Sequence, residues 1–413
     1  MKKKRILRRR KKLKVFSLII LVFISFLIYK TYSYDIEKND NSKLKQDNII
    51  KEELPKEKKY EISLVMVGDA LIHDEIYLDA KIGNSYNFNK MLSFIKPITT
   101  THNLAYYNQE TILGGSEIGL SSYPAFNSPY EVGDAFLDAG FNLVSLATNH
   151  TLDRGEKAVI NSRNYWNSKS TNSTDSVLAV GSYSSFEEKN NIEIRSSNNI
   201  TYTLLNYTYG TNGIKVPSGK EYLVNIWPVT GNNPNIDTKY QNYKKQVKND
   251  ISMVRDKVDL LMVAMHWGIE YQTTPNSYQK DMALFLESLG VDIIIGTHPH
   301  VIQAIEWIND TLVIYSIGNF LSAHEVVNID NRVGLMSSID IIKTIKEDET
   351  TITLSNLENE LLYTYYTKDY KNFKVIPFSN LTDEYLKDYQ NIYTRYKNIV
   401  QSIDSNINVN PID

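Results

Sequence analysis

The sequence predicts an α/β layered domain, and three observations predict it. Short apolar runs recur along the chain: Ile62 to Val67, Leu143 to Ala147, Leu260 to Met265, Val291 to Ile295 and Leu312 to Tyr315. Each is four to six residues of β-rich, near-continuous apolar character, the pattern of a buried strand. Stretches of helical character lie between them. Tyr278 to Leu289 places Met282, Phe285, Leu286 and Leu289 on one face, and Gly290 stops it. The runs also end alike, in polar residues: Gly68-Asp69, Thr148-Asn149-His150, His266, Gly296-Thr297-His298 and Ser316-Ile317-Gly318-Asn319. Strands alternating with helices give a layered α/β architecture, whose functional side chains collect beyond the carboxyl ends of the strands.

The amino terminus has a different character. Residues 1–14 carry ten Lys or Arg and no acid, which leaves the rest of the chain at −13 against a total of −3. A mildly acidic body argues against nucleic acid as a partner. Val15 to Tyr29 is an uninterrupted run of mostly apolar residues, about 22 Å long as a helix. Extended through Tyr34 it reaches the ~30 Å of a hydrocarbon core, with Lys30 snorkelling and two tyrosines at the interface. The basic block sets the orientation: amino terminus cytoplasmic, main domain outside, as a single-pass protein of the cell membrane. The alternative is a cleaved signal peptide, for which Thr31-Tyr32-Ser33 is a poor cleavage site. Residues 35–60 are charged, with few apolar residues, and read as a solvated tether. The main domain follows over 61–325. Residues 326–413 complete the fold with strands (Val333 to Ile342, Thr350 to Leu354, Glu360 to Tyr366, Phe373 to Phe378) and a last helix, about Thr382 to Ile403, whose tyrosine-rich stripe faces the core.

The chain has no cysteine, which removes disulfides, zinc–thiolate sites and a cysteine nucleophile. Its seven histidines are unevenly placed. His150, His266, His298 and His300 stand at strand ends, and His73 lies near Asp69. His102 and His324 lack that context and are read as structural. A lone histidine is more often a hydrogen-bonded structural residue than a ligand. Four at strand ends, with Asp69, Glu110 and Asn149 at similar positions, make one convergent metal site the better reading. Carboxylates, imidazoles and a neutral amide oxygen are the ligands a hydrolytic two-metal centre uses. In His298-Pro299-His300 an extended backbone points both rings the same way. His150, beside Asn149, is left free to donate a proton. Gly114 to Pro129 reads as a loop on the substrate side or as plain surface, and it lacks the lysine of a phosphate-binding loop.

The segments MVGDALIH, YYNQETILGG, LATNHTLDRG, MHWGIEYQTTPNSYQ, GTHPHVIQ and YSIGNF, in this order between Ser63 and Phe320, resemble the CapA family of poly-γ-glutamate capsule biosynthesis. Its domain resembles the calcineurin-like metallophosphoesterases, a β-sheet sandwich flanked by helices. The resemblance implies two divalent ions of the Mn, Fe or Zn type, with Asp69, Glu110, Asn149, His266, His298 and His300 as ligands and Glu110 bridging. It implies His150 as the acid for a leaving group, Asp153 orienting it and Arg154 meeting an anionic group. Asn108, Trp267, Glu270, Tyr271, Gln279 and Asn319 are implied on the substrate side. Where the metallophosphoesterase pattern has a histidine two residues after its first aspartate, this chain has Leu71, and His73 is the nearest replacement.

The implied function is synthesis, export or anchoring of poly-γ-glutamate or a related anionic polymer, by metal-assisted hydrolysis or transfer, beside membrane-bound polymer synthase subunits. Two alternatives stay open: a non-catalytic scaffold of such a complex, and an extracellular metallophosphoesterase acting on small phosphate esters.

Overall fold

The structure, a computed structural model, describes residues 57–412 except 171–175, 231, 325–327 and 348, together with Arg5–Ile6. The expected anchor at 15–34 and most of the tether lie outside the described residues. Among the described residues, no helix is long and apolar enough to cross a membrane.

Two mixed sheets face each other. In the first, β1 (Lys58–Leu71), β2 (Leu104–Gln109), β3 (Leu143–Ser145) and β4 (Leu178–Val180) run parallel in that order. The second is built on β5 (Ile200–Thr208), β6 (Leu260–His266), β7 (Ile293–Thr297) and β8 (Thr311–Ile314), again parallel neighbours. The chain then returns to the first sheet, where β9 (Asn319–Ser322) pairs parallel with β1. The long strands β10 (Val333–Lys346) and β11 (Glu349–Tyr365) extend that sheet antiparallel, β10 against β1 and β11 against β10. Arg5–Ile6 pair antiparallel with Thr351 and Ile352 of β11.

The period-two alternation of strand side chains explains the layers. On β1, Leu64 and Met66 face the second sheet and pack with Leu204, Met262, Ala264, Ile293 and Ile295. Val65 and Val67, one residue out of phase, face Phe136, Tyr165 and Trp166 of the helices α1 (Glu131–Asp138) and α2 (Gly155–Lys169). On the far side Leu261, Val263 and Ile294 pack against Tyr243, Val247, Met282 and Leu286 of α3 (Thr238–Val254) and α4 (Ser277–Ser288). Strands buried on both faces must be apolar at every position, which is why these runs do not alternate. Each fully buried aliphatic side chain contributes about 1.5–3 kcal/mol.

The helix expected from Tyr278 is α4. Its start is fixed by Asn276, whose side chain accepts from Gln279 N–H while the Gln279 side chain accepts from Asn276 N–H. The last helix is shorter than expected, Tyr389–Val400, and begins after Asp388, which has a φ of +62°. The strands expected separately at 350–354 and 360–366 form the single strand β11.

Two glycines let the backbone close up where the site begins. A Cβ on Gly68 would collide with the carbonyl of Gly318, which accepts from Asp69 N–H at 3.0 Å. A Cβ on Gly296 would collide with the carbonyl of Tyr315. Each glycine precedes a site residue at the mouth of the sandwich.

Candidate metal centre

The strand ends converge. Asp69 near the end of β1, Glu110 after β2 and Asn149 after β3 come from the first sheet. His266 at the end of β6, with His298 and His300 after β7, comes from the second. All six are buried. Glu110, His266 and His298 bring ligand atoms within 4.8 Å of one another, and so do Asp69, Glu110 and His300.

Glu110 lies between these two triads. Its Oε1 is 3.6 Å from His266 Nε2 and 3.6 Å from His300 Nε2. That is too long for a hydrogen bond. It matches the ~3.4 Å between two ligands that each sit ~2.1 Å from one tetrahedral ion. Both Glu110 oxygens are buried without a hydrogen-bond partner, and so is His298 Nδ1. A carboxylate taken from water and left unpaired costs several kcal/mol, on the order of what cation binding recovers. The donor set therefore fits divalent cations, with Asn149 Oδ1 a further oxygen 2.9 Å from His266 Nε2.

The charge states suit this. Burial pushes the Asp69 carboxyl up to about 7, partly offset by hydrogen bonds from Asn108 and His298 N–H. Burial, then the Asp69 charge, drives the Glu110 carboxyl well above its ordinary value. Burial holds His298 down to about 3 and drives His266 and His300 well below their ordinary value. Neutral imidazole is the form that binds metal.

The ligands are held from behind. His266 Nδ1 pairs with Thr297 Oγ1 at 3.0 Å while its Nε2 meets Asn149 Oδ1, and His300 Nδ1 pairs with Asn319 Oδ1 at 3.0 Å, leaving His300 Nε2 for the centre. Neither His298 nor His300 lies on extended backbone. Their φ angles are +93° and +58°, so the expectation of two rings aligned on an extended segment is corrected. The centroids are 5.8 Å apart at 60°, which lets His298 serve one triad and His300 the other. Left-handed backbone at two non-glycine candidate ligands, one residue apart, is strain of the kind that collects at functional sites.

His150 Nδ1 pairs with Asp153 Oδ2 at 2.6 Å, and Phe126 lies edge-on to the imidazole at 4.7 Å. Asp153 Oδ2 also accepts from Phe126 N–H. The turn carrying Asn149 and His150 is fixed by Thr148, whose hydroxyl donates to Glu110 O at 2.8 Å. Beneath it, Asn206 Oδ1 of β5 accepts from Leu146 and Ala147 N–H and ties the two sheets together.

Several expected roles move. Arg154, read as an anion contact, donates to Ile118 O, Gly119 O and Ser121 Oγ, so it holds the 114–129 loop. Asn108, read as facing substrate, is fully buried and donates to Asp69 Oδ1 at 2.8 Å. Trp267 and Gln279 are also fully buried. Trp267 Nε1–H donates to Tyr315 O, and Gln279 Nε2–H donates to Gln303 Oε1. Glu270 and Tyr271 are exposed at the mouth. Asn319 contacts His300, as above. His73, the nearest replacement for the missing histidine, joins neither triad. Its Nδ1 lies 3.0 Å from Leu71 O and 3.2 Å from Ala323 N–H.

Three residues at the site were missed. The His324 ring lies 5.1 Å from that of His300, and its Nε2 accepts from Asn319 Nδ2–H. Tyr209 stacks 4.5 Å from His298, and Asn212 Oδ1 accepts from Asn149 Nδ2–H at 3.3 Å. The last two follow β5, whose end, Thr208-Tyr209-Gly210-Thr211-Asn212, has the same strand-then-polar form as the others and was the available signal.

Comparison with known proteins fits this arrangement. Residues 63–324 match the family described as bacterial capsule synthesis protein PGA_cap. The chain is 26% identical over 284 residues to a protein of Bacillus subtilis (strain 168) named PGA biosynthesis protein CapA, covering 66% of this chain and 67% of that one. It is 27% identical over 252 residues to the capsule biosynthesis protein CapA of Bacillus anthracis, covering 58% and 56%. Among solved structures it is similar to a candidate 5'-nucleotidase of Staphylococcus aureus at 14% identity and a TM-score of 0.44, covering 77% of this chain and 54% of that one. With a match over more than half its length, carrying every proposed ligand, this chain belongs to the bacterial capsule synthesis protein family PGA_cap.

Proposed function

We propose that this protein is a membrane-anchored, metal-dependent hydrolase or transferase of the metallophosphoesterase type, acting outside the cell in the synthesis, export or anchoring of poly-γ-glutamate or a related anionic polymer. The observation that carries the chemistry is Glu110, a buried carboxylate with no hydrogen-bond partner, 3.6 Å from an imidazole nitrogen of each triad. The names of the two Bacillus relatives support the biological setting, and membrane-bound synthase subunits are the partners it suggests.

Asp69, Glu110 and His300 would hold one divalent ion, of the Mn, Fe or Zn type, and Glu110, Asn149, His266 and His298 the other. Such ions polarise a phosphoryl or amide centre and activate water. The protein does the rest. Asp153 Oδ2 accepts a hydrogen bond from His150 Nδ1–H, which orients the ring so that Nε2 is the atom that would hand over a proton, and Phe126 shields the imidazole from solvent. Thr148 keeps Glu110 and the Asn149–His150 turn in register.

The anchor is residues 15–34. With residues 15–34 in a bilayer, residue 5 lies on the opposite side from the domain, so the pairing of Arg5–Ile6 with β11 would belong to a chain not inserted in a membrane. Leu71, buried where the metallophosphoesterase pattern has histidine, favours the second reading, a scaffold without catalysis.

The test is the full chain in detergent, reconstituted with Mn²⁺, assayed for bound metal and for cleavage of a chromogenic phosphodiester and of poly-γ-glutamate. Bound metal with turnover that His150→Ala abolishes supports the enzyme. Metal without turnover on any substrate leaves the scaffold, and no bound metal removes the centre.

A further inference from the structure

One triad is short of a ligand. Glu110, His266 and His298 have Asn149 beside them, but Asp69, Glu110 and His300 have only Leu71 where a histidine would complete the set. The buried Leu71 side chain has no donor atom, and His73 is turned toward Leu71 O and Ala323 N–H.

Glu270 is exposed at the mouth, beside one member of this set, His300. Its carboxylate comes within 4.8 Å of ligand atoms of His298 and His300. Among the described residues it has no hydrogen-bond or ion-pair partner, although the loop carrying it is clamped along its length. Trp267 N–H donates to Thr297 O at 3.1 Å, and Tyr271 N–H to Pro299 O at 2.8 Å. Gln303 Nε2–H donates to Gln272 O at 2.7 Å, and Gln303 is itself held by Gln279. Gly268, at a φ of +92°, turns the backbone directly against the Gln279 side chain, where a Cβ would be at 2.9 Å. Tyr271, at +64°, turns it again and lays its ring 6.0 Å from those of His300 and His324. Two residues at positive φ and three hydrogen bonds hold a solvent-facing loop in one place, with an unpaired carboxylate close to the two histidines. His298 Nδ1 is itself buried and unpartnered.

We propose that Glu270 is a metal ligand, supplying from the HWGIEY loop the donor that Leu71 cannot, so that the binuclear centre of this chain is completed by a carboxylate from its solvent side. This rests on the metal-centre reading above and adds to it. Replacing a neutral imidazole by a carboxylate adds one negative charge to the set, which favours harder ions such as Mn²⁺ over Zn²⁺ at that position. It also gives Trp267, Gln279 and Gln303 a shared purpose as positioning residues: they hold the ligand's loop and touch no substrate.

The experiment is Mn²⁺ titration of the full chain in detergent, read by bound-metal stoichiometry and by the exchange-coupled electron paramagnetic resonance signal of a paired centre. The variants are Glu270→Gln and Glu270→Asp, and the thermal midpoints of the metal-free proteins serve as a check on folding. The expected result is two ions and a coupled signal in the parent. Glu270→Gln then shows one ion, or a second bound at least tenfold more weakly with the coupled signal lost, and Glu270→Asp is intermediate. Two ions bound equally well by Glu270→Gln would overturn the inference while leaving the centre intact. A single ion, the same in parent and variant, would overturn it too. A parent that binds none would remove the centre itself.

Discussion

The side-chain amide of Asn108 donates to Asp69 Oδ1 at 2.8 Å, and no water-facing surface of either residue remains. The parallel register of β1 and β2 sets them side by side, Asp69 opposite Asn108. Ser145 Oγ donates to Asn108 Oδ1 at 2.5 Å, and Tyr106 OH lies 2.8 Å from the same hydroxyl. This chain of four fixes a ligand from behind. Asn108→Ala and Ser145→Ala should each weaken metal binding, by roughly 10–100-fold for Asn108 and less for Ser145. Isothermal titration with Mn²⁺ reads this directly, and unchanged affinity in Asn108→Ala would show that Asp69 is not a ligand.

Metal loading should release protons from carboxyls and not from imidazoles. At pH 7 the buried Asp69, at about 7, is partly protonated, and burial shifts Glu110 in the same direction. His266, His298 and His300, all held low, have no proton to lose. Binding should therefore strengthen as pH rises through 7. Titrations in buffers of different protonation enthalpy should report net proton release at pH 7. A value near zero would place the ligands elsewhere.

Arg154→Ala should act on stability and leave anion binding alone. Its three hydrogen bonds hold Ile118, Gly119 and Ser121 of the loop beneath Phe126. Loss of about 1–3 kcal/mol and faster proteolysis within residues 114–129 are expected. Retained stability with weakened binding of an anionic substrate would return Arg154 to the pocket.

The metal-free fold should weaken in mild acid through His73 and His324. Burial and the neighbouring His324 push His73 down to about 3, and burial pushes His324 to about 4. Both stay neutral in the fold but take up a proton in the unfolded chain below the ordinary 6.5. Their contribution is thus complete above 6.5 and is lost as pH falls toward 4. Asp69, shifted upward, works in the opposite direction over part of this range. Urea unfolding of His73→Gln and His324→Gln at pH 7 and pH 5 separates the effects: each variant should lose less stability between the two than the parent does.

Much of this was legible because buried parallel strands leave a strong local signature. The runs before Asp69, Asn149, His266 and His298 are apolar at nearly every position, and the polar residue after each marks where the site begins. Orientation was harder to read. Asn108 and Asp69 face each other through a strand register, which depends on how two distant segments pair. His298 and His300 separate because both adopt left-handed backbone, a conformation their sequence does not advertise. His324 reaches His300 through Asn319, on the strand where the chain returns to the first sheet, so the contact depends on how the two sheets face each other. Arg154 was misplaced for a simpler reason: a guanidinium satisfies carbonyl oxygens as readily as an anion.

The division of the ligands has a consequence for how the molecule matures. Every oxygen donor of the two triads comes from the β1–β2–β3 half, and every imidazole from the β6–β7 half. Neither half holds the whole set, because two carboxylates lie on one side of the seam and three imidazoles on the other. An ion bound by both would close across the seam and act as its rivet. The timing of metal uptake during refolding is therefore a clock for the last assembly step, and a chelator added late should reopen the molecule along that seam before it unravels either sheet.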